Sequence, residues 1–341
     1  MLLRRLLLAV ALLAVAAVAG VALFGLWHSV RSGRLIAAES LAGPDTVALF
    51  SLTLDETDPG VVSVLARIRQ MDARRKHSKL PPWARWLLAG STETAASPQA
   101  GVVMPVRVVS YLERGRGGSE VAALVVSLSR YSDRIGSALG PGPRTVHRGI
   151  EIARPANSGD PYAALMENNV VLAASEGEIR AAIDRLKDGS PKPGALFQSA
   201  RDAARGGDGF ALVLNSGDRL EAVIHGALAR RGISAGGEAG GARLVPRSFL
   251  ACGLSVDLVT ADEARVSGEV LFTDRKSARD GERWVRRGVP VALALAGLES
   301  ELSIRSEGEA VRVSGSLRGL DGLWDRLLAG RVFWGAASAR P

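Results

Sequence analysis

Residues able to do chemistry are few in this chain, and they are scattered. The four histidines, His28, His77, His147 and His225, stand far apart, and none lies three or four positions from another His or Cys. A locally encoded zinc-type site needs that spacing, so the sequence predicts neither metal nor cofactor. The glycine-rich "GISAGGEAGG" lacks the Gly-Lys-Ser/Thr that lets a phosphate loop grip its ligand. Cys252 could act as a nucleophile with His225 as base only if the two touched, and its run "SFLACGLSVDLV" reads instead as a strand with a buried thiol. Asp55, Glu56 and Asp58 could hold a hard cation or share acid–base work. They also precede Pro59 at a predicted helix start, where an N-cap and acidic residues are stabilising, and capping is the stronger reading.

The most specific candidate is "ARIRQMDARRKHSKLPPWARWLLAGS". Arg74, Arg75, Lys76 and Lys79 stand before Trp83 and Trp86, and cations beside a Trp/Leu segment suit an anionic membrane surface. The same pattern also fits a solvated helix end followed by a short helix packed on a core.

The elements that would carry these residues show two recurring patterns. One is a strand leading into a capped helix. Residues 46–54 predict a strand, Asp58 an N-cap, and Val61, Val64, Leu65 and Ile68 one apolar helical face. "NNVVLAASEGEIRAAIDRLKDG" repeats the format, with a Ser175/Glu178 capping box, a face of Ile179, Ala182, Ile183 and Leu186, and Gly189 as the stop. Residues 208–232 repeat it again, with Asp218 and Glu221 spaced as a capping box.

The other pattern is a hairpin followed by a helix. Val311, Val313, Gly315 and Leu317 alternate with Arg312, Ser314, Ser316 and Arg318, which predicts an antiparallel strand with one wet face, turning at 307–309. Leu320, Leu323, Trp324 and Leu327 then predict a helix face. Similar hairpins are predicted to turn at Ala261–Glu263 and near Gly115–Gly118.

Before these units, Leu6 to Trp27 holds no charged residue. As a helix this run spans about 33 Å, against roughly 30 Å for a hydrocarbon core. Its length favours a retained transmembrane anchor over a cleaved signal peptide, and Trp27 suits the interface. Residues 1–34 hold four arginines and no acid, so the rest carries 39 basic against 35 acidic residues, too small an excess to predict nucleic-acid binding.

The expected organisation is therefore an anchor and flank at 1–34, a first half at 35–190, a connector at 191–207 with a short helix, a second half at 208–330, and a tail at 331–341. The expected fold class is α+β: an N-terminal transmembrane helix, then two similar halves of antiparallel sheet with helices packed on one face.

The anchor followed by "PDTVALFSLTLD", "NVVLAASEGEIRAAIDRL" and "AVRVSGSLRGLDGLWDRLL" resembles a bacterial family of N-terminally anchored envelope proteins of unknown function. That resemblance implies an extracytoplasmic location and brings no catalytic residues. Residues and resemblance together lead to one expectation: a single-pass protein of the bacterial inner membrane, most of it outside the cytoplasm. It would bind a lipid, glycan or protein partner without catalysis. The competing expectation is an envelope hydrolase with a dispersed active site.

Overall fold

The computed structural model describes residues 30–55, 57–74, 102–114, 120–132, 142–155, 161–189, 193–204, 206–215, 220–221, 245–295 and 297–322. One antiparallel sheet of 13 strands runs through them. The strands are β1 (Val30–Ser32), β2 (Thr46–Leu54), β3 (Val102–Arg114), β4 (Glu120–Ser132), β5 (Arg144–His147), β6 (Ile150–Ala153), β7 (Tyr162–Met166), β8 (Asn169–Ala173), β9 (Gly209–Leu214), β10 (Phe249–Leu258), β11 (Glu263–Phe272), β12 (Glu299–Glu307) and β13 (Ala310–Arg318). Among the described residues four α-helices pack on them: α1 (Pro59–Arg74), α2 (Glu176–Asp188), α3 (Ala195–Ala203) and α4 (Arg275–Leu295). A 3-10 turn occupies Ala38–Leu41.

Across the sheet the order is β12-β13-β11-β10-β9-β2-β3-β4-β8-β7-β6-β5. The antiparallel pair β2·β9 is the seam, with Leu49 opposite Leu212 and Ser51 opposite Phe210. Moving away from that seam the chain order is the same on both sides. The first strand is followed by the two strands of a hairpin, and then by the second strand of a later hairpin with its partner outside it. Where two halves were expected there is one continuous sheet, whose two sides of the seam form its wings. β1 lies on the edge of β4 beyond the stretch that β8 covers, pairing Val30 with Ser132.

Residues opposite one another on paired strands share a face. One face therefore carries Leu49, Tyr111, Val109, Val125, Leu212 and Gly253; the other carries Leu52, Val108, Val126, Val170, Val256 and Val266. α2 and α3 cover the Tyr111 face. Arg185 of α2 stacks over the Tyr111 ring, and Arg201 of α3 over Phe210. α1 and α4 cover the Leu52 face, where Val61, Val64 and Leu65 cluster with Leu52, Leu258 and Ala264, and Ala278 and Val285 with Val270, Val311 and Val313. Helices on one face only was the expectation, and the structure places them on both. The reason is in strands such as β8, where every residue from Asn169 to Ala173 is buried, so both faces need a cover.

Local chemistry explains the helix starts. Asp58 Oδ1 accepts from the backbone N–H of Gly60 at 2.7 Å and of Val61 at 3.3 Å, so it caps α1. At α2, Ser175 and Glu178 form the reciprocal capping box, and Gly189 leaves the helix at φ 76°. Asp274 Oδ1 accepts from Ser277 N–H at 2.8 Å and caps α4. These hydrogen bonds hold the Asp274 carboxyl below its ordinary range. α3 lies within the expected connector, and it sits so close to β10 that a Cβ on Gly253 would stand 1.8 Å from Ala200 O.

Among the described residues no helix is long and apolar enough to cross a membrane. The run from Leu6 to Trp27 lies outside them, as do Leu323, Trp324 and Leu327.

Candidate functional site

The Tyr111 face is not fully closed. Between the segment 33–40, the β7–β8 turn, β6 and the C-terminal end of α2 lies a groove of about 920 Å³. That volume is within the range of small-molecule sites. Its apolar surface comes from Leu35, Ile36, Ile150, Met166 and Leu186, and its charge from Arg34, Arg107, Arg185, Lys187 and Glu167. The strand edges and the helix end fix these positions. The segment 33–40 is tied down by Gly33 N–H donating to Ser129 O at 2.8 Å and Ile36 N–H donating to Ser127 Oγ at 2.9 Å.

Two adjacent asparagines form the groove's buried polar part. Asn168 and Asn169 are 6% and 8% exposed, and both line the groove. Asn168 Nδ2 donates to Leu128 O at 2.7 Å and to Arg34 O at 2.9 Å. Both partners are carbonyls, so Asn168 must present its amide nitrogen to them and its Oδ1 elsewhere. Asn169 Nδ2 donates to that Oδ1, at 3.4 Å. The orientation of Asn169 is thereby set, and its Oδ1 is left buried with no partner. An unmet buried acceptor costs about 1–3 kcal/mol. Glu167, at the preceding position of the turn, holds φ 53°, a conformation uncommon outside glycine.

The arginines of the groove differ in their commitments. Arg185 is bound to Glu113 in a half-buried ion pair, and it donates to Leu41 O at 2.9 Å. Arg107 is held by two bonds, Nε to Thr53 Oγ1 at 3.1 Å and Nη1 to Ile36 O at 3.0 Å, and its Nη2 has no partner among the described residues. Lys187 Nζ donates to Arg148 O. Arg34 is exposed, and among the described residues its side chain has no hydrogen-bond or ion-pair partner.

Other groupings are structural. His147 Nε2 lies 2.8 Å from Asp184 Oδ1, and Arg148 binds Asp184 and Asp188, so the β5–β6 hairpin is pinned to α2. Asp55 Oδ1 accepts from the N–H and hydroxyl of Thr57, a turn contact. Asp208 lies beside Asp58; partial burial, and then the Asp58 carboxyl, raise its pKa. Cys252 keeps some surface in contact with solvent, but the shielding of its thiol pushes the pKa up to about 12, away from thiolate chemistry. Among the described residues no three His, Cys, Asp or Glu side chains are disposed to hold a metal ion.

Of the sequence-predicted surface contacts, Arg74 ends α1 with its side chain outside the described residues, and Arg75, Lys76, Lys79, Trp83 and Trp86 lie outside them altogether. The groove residues were not singled out. Arg107, a cation inside the apolar strand "VVMPVRVVSYLER", was a legible signal. Asn168–Asn169 looks like ordinary turn chemistry. Gly232-Ile-Ser-Ala-Gly236 carries the Gly-x-Ser-x-Gly spacing of a nucleophile elbow, with Ser234 at its centre, and it too lies outside the described residues.

No family model matches the chain, and no curated protein does. Among solved structures it is similar to a chain described as crystal form I of TP0453, with 11% sequence identity and a TM-score of 0.45 over 86% of this chain and 98% of that one. Similarity at that level assigns neither a family nor an activity.

Proposed function

We propose that this is a non-catalytic binding protein of the bacterial envelope. Residues 6–27 hold it in the inner membrane as a single pass, the bulk of the chain lies outside the cytoplasm, and the two wings of the sheet are copies of one unit. The groove on the Tyr111 face takes an envelope component: a lipid, a glycan or a segment of a protein partner. The observation that carries this reading is the groove itself, about 920 Å³ with an apolar side, several cations and a buried acceptor without a partner. Ala37 lines the groove and is exposed, so Ala37→Trp should fill it without disturbing the core. Full-length protein purified from membranes should carry a small molecule visible by native mass spectrometry, and Ala37→Trp should lose it. Identical spectra from both proteins contradict a groove ligand. Reporters fused at the C-terminus test the topology, and cytoplasmic activity there contradicts it.

A hydrolase is the second reading, favoured by one observation: the elbow spacing around Ser234. Its test is separate. Ester or amide turnover by the full-length protein, abolished by Ser234→Ala, establishes it, and turnover unaffected by that change removes it.

A further inference from the structure

We infer that the groove recognises a phosphorylated polyol or sugar: an anionic phosphate and at least one hydroxyl on a short carbon frame. The inference rests on the reading of the groove as a binding site and names its ligand chemistry. Four cations and one carboxylate line the groove. Glu113 neutralises Arg185, which leaves Arg34, Arg107 and Lys187 against Glu167 in the lining, with Glu39 near Arg107 and Asp188 near Lys187 just outside it. Arg107 is held in place by Thr53 and Ile36 and keeps Nη2 unused, the arrangement that lets a guanidinium bind an oxyanion with little further ordering. Arg34 adds a second cation whose side chain has no partner among the described residues to give up. These groups call for a ligand with negative charge.

The asparagine pair adds a different requirement. The chain of bonds from Leu128 O and Arg34 O through Asn168 to Asn169 leaves Asn169 Oδ1 as an acceptor, and an oxyanion cannot satisfy an acceptor. A donor is needed, and a small turn of the buried Asn169 side chain towards the groove lets a ligand supply it; on an anionic ligand that donor is a hydroxyl. Ile36, Ile150 and Met166 supply surface for the carbon atoms between phosphate and hydroxyl. Inorganic phosphate meets the first requirement and glycerol the second, but a phosphorylated polyol meets both.

The probes are glycerol 3-phosphate, inorganic phosphate and glycerol, each titrated by calorimetry into full-length protein in nanodiscs of zwitterionic lipid. A further arm measures binding to vesicles with and without phosphatidylglycerol. Glycerol 3-phosphate should bind at least about tenfold more tightly than phosphate or glycerol. Arg34→Glu should weaken it about tenfold or more without lowering thermal stability, because the structural contact of Arg34, to Asn168, is made by its backbone carbonyl and its side chain has no partner among the described residues. Asn169→Leu removes the unmet acceptor. It also removes the N–H that Asn168 Oδ1 accepts from, so one unmet acceptor replaces another and stability should change little, while the preference for glycerol 3-phosphate over phosphate is erased, a split that a merely structural asparagine does not produce. Response to the soluble probe marks a free solute. Response only to phosphatidylglycerol vesicles, lost in Arg34→Glu, marks a lipid head group. Equal binding of all probes by wild type and Arg34→Glu overturns the inference, as does no binding in any arm. If a molecule lost in Ala37→Trp still co-purifies while every phosphorylated probe fails to displace it, the groove stands and this ligand chemistry is wrong.

Discussion

The two wings share a strand order and differ in what covers them. In the wing of β10, β11, β13 and β12, one face is dry and much of the other is wet. Ala264, Val266, Val270 and Phe272 of β11 are buried, whereas Arg265 and Ser267 between them are exposed. The wet side carries ion pairs such as Arg312–Glu269 and Arg318–Glu263, which contribute little to stability in water. In the other wing β8 is buried along its whole length, and β4 is buried from Ala123 to Leu128. Covering two faces takes more chain, and here the cover on the Tyr111 face is assembled from a short segment, a turn and a helix end. Such a cover leaves a cleft lined by backbone ends and polar side chains, and the groove is that cleft. The recess at the turn of the other wing, lined by Ser63, Thr260, Ala261 and Asp321, is about half as large at 480 Å³.

Charge insertion tests this contrast most strongly. Val171 and Leu172 point to opposite faces of β8 and are both fully buried. Val171→Asp and Leu172→Asp should each cost several kcal/mol, read as lost thermal stability. In the other wing Val313→Asp should cost as much, while Ser314→Asp should stay within about 0.5 kcal/mol. A harmless Val171→Asp would mean that the Tyr111 face of the first wing is open.

The seat of α3 comes next. Gly253→Ala would force a methyl group against Ala200 O and should cost about 1–3 kcal/mol in denaturant melts. Ser175→Ala, which breaks the capping box under the first wing, should cost about 1 kcal/mol.

The smallest effect concerns Asp208 at the seam. Its folded pKa is raised, chiefly by burial and then by Asp58. A raised acid pKa means that the charged form weakens the folded state. The penalty is present above the folded pKa and disappears as pH falls below the ordinary value of 3.8. Asp208→Asn should therefore raise stability slightly at pH 7, by less than about 1 kcal/mol for a group that is only partly buried, with a correspondingly small rise in melting temperature, and not at pH 3. An equal gain at both pH values would remove the electrostatic explanation.

Much of the local structure was legible. The bounds of β2, the Asp58 cap, the Ser175/Glu178 box and the burial of Val311 and Val313 all follow from spacing that local physics reads directly. The seam did not. Apolar strands such as β2 and β9 advertise burial, but their period does not name a partner, so two halves were expected where one sheet exists. The run "NVVLA" signalled burial on both faces without saying which helix covers which. The groove was least legible. The orientation of Asn169 depends on carbonyls at Arg34 and Leu128, at least 40 residues away in sequence, and the pair "NN" by itself looks like any turn.

The central claim is that ligand binding belongs to the doubly covered wing. Amide hydrogen exchange on the full-length protein in nanodiscs, with and without glycerol 3-phosphate, tests it directly. The account predicts slower exchange in residues 33–41, at the 166–169 turn and at the end of α2 near 185–189, with β11, β12 and β13 unchanged. Protection confined to the β11–β13 wing, or spread evenly over the sheet, would contradict it.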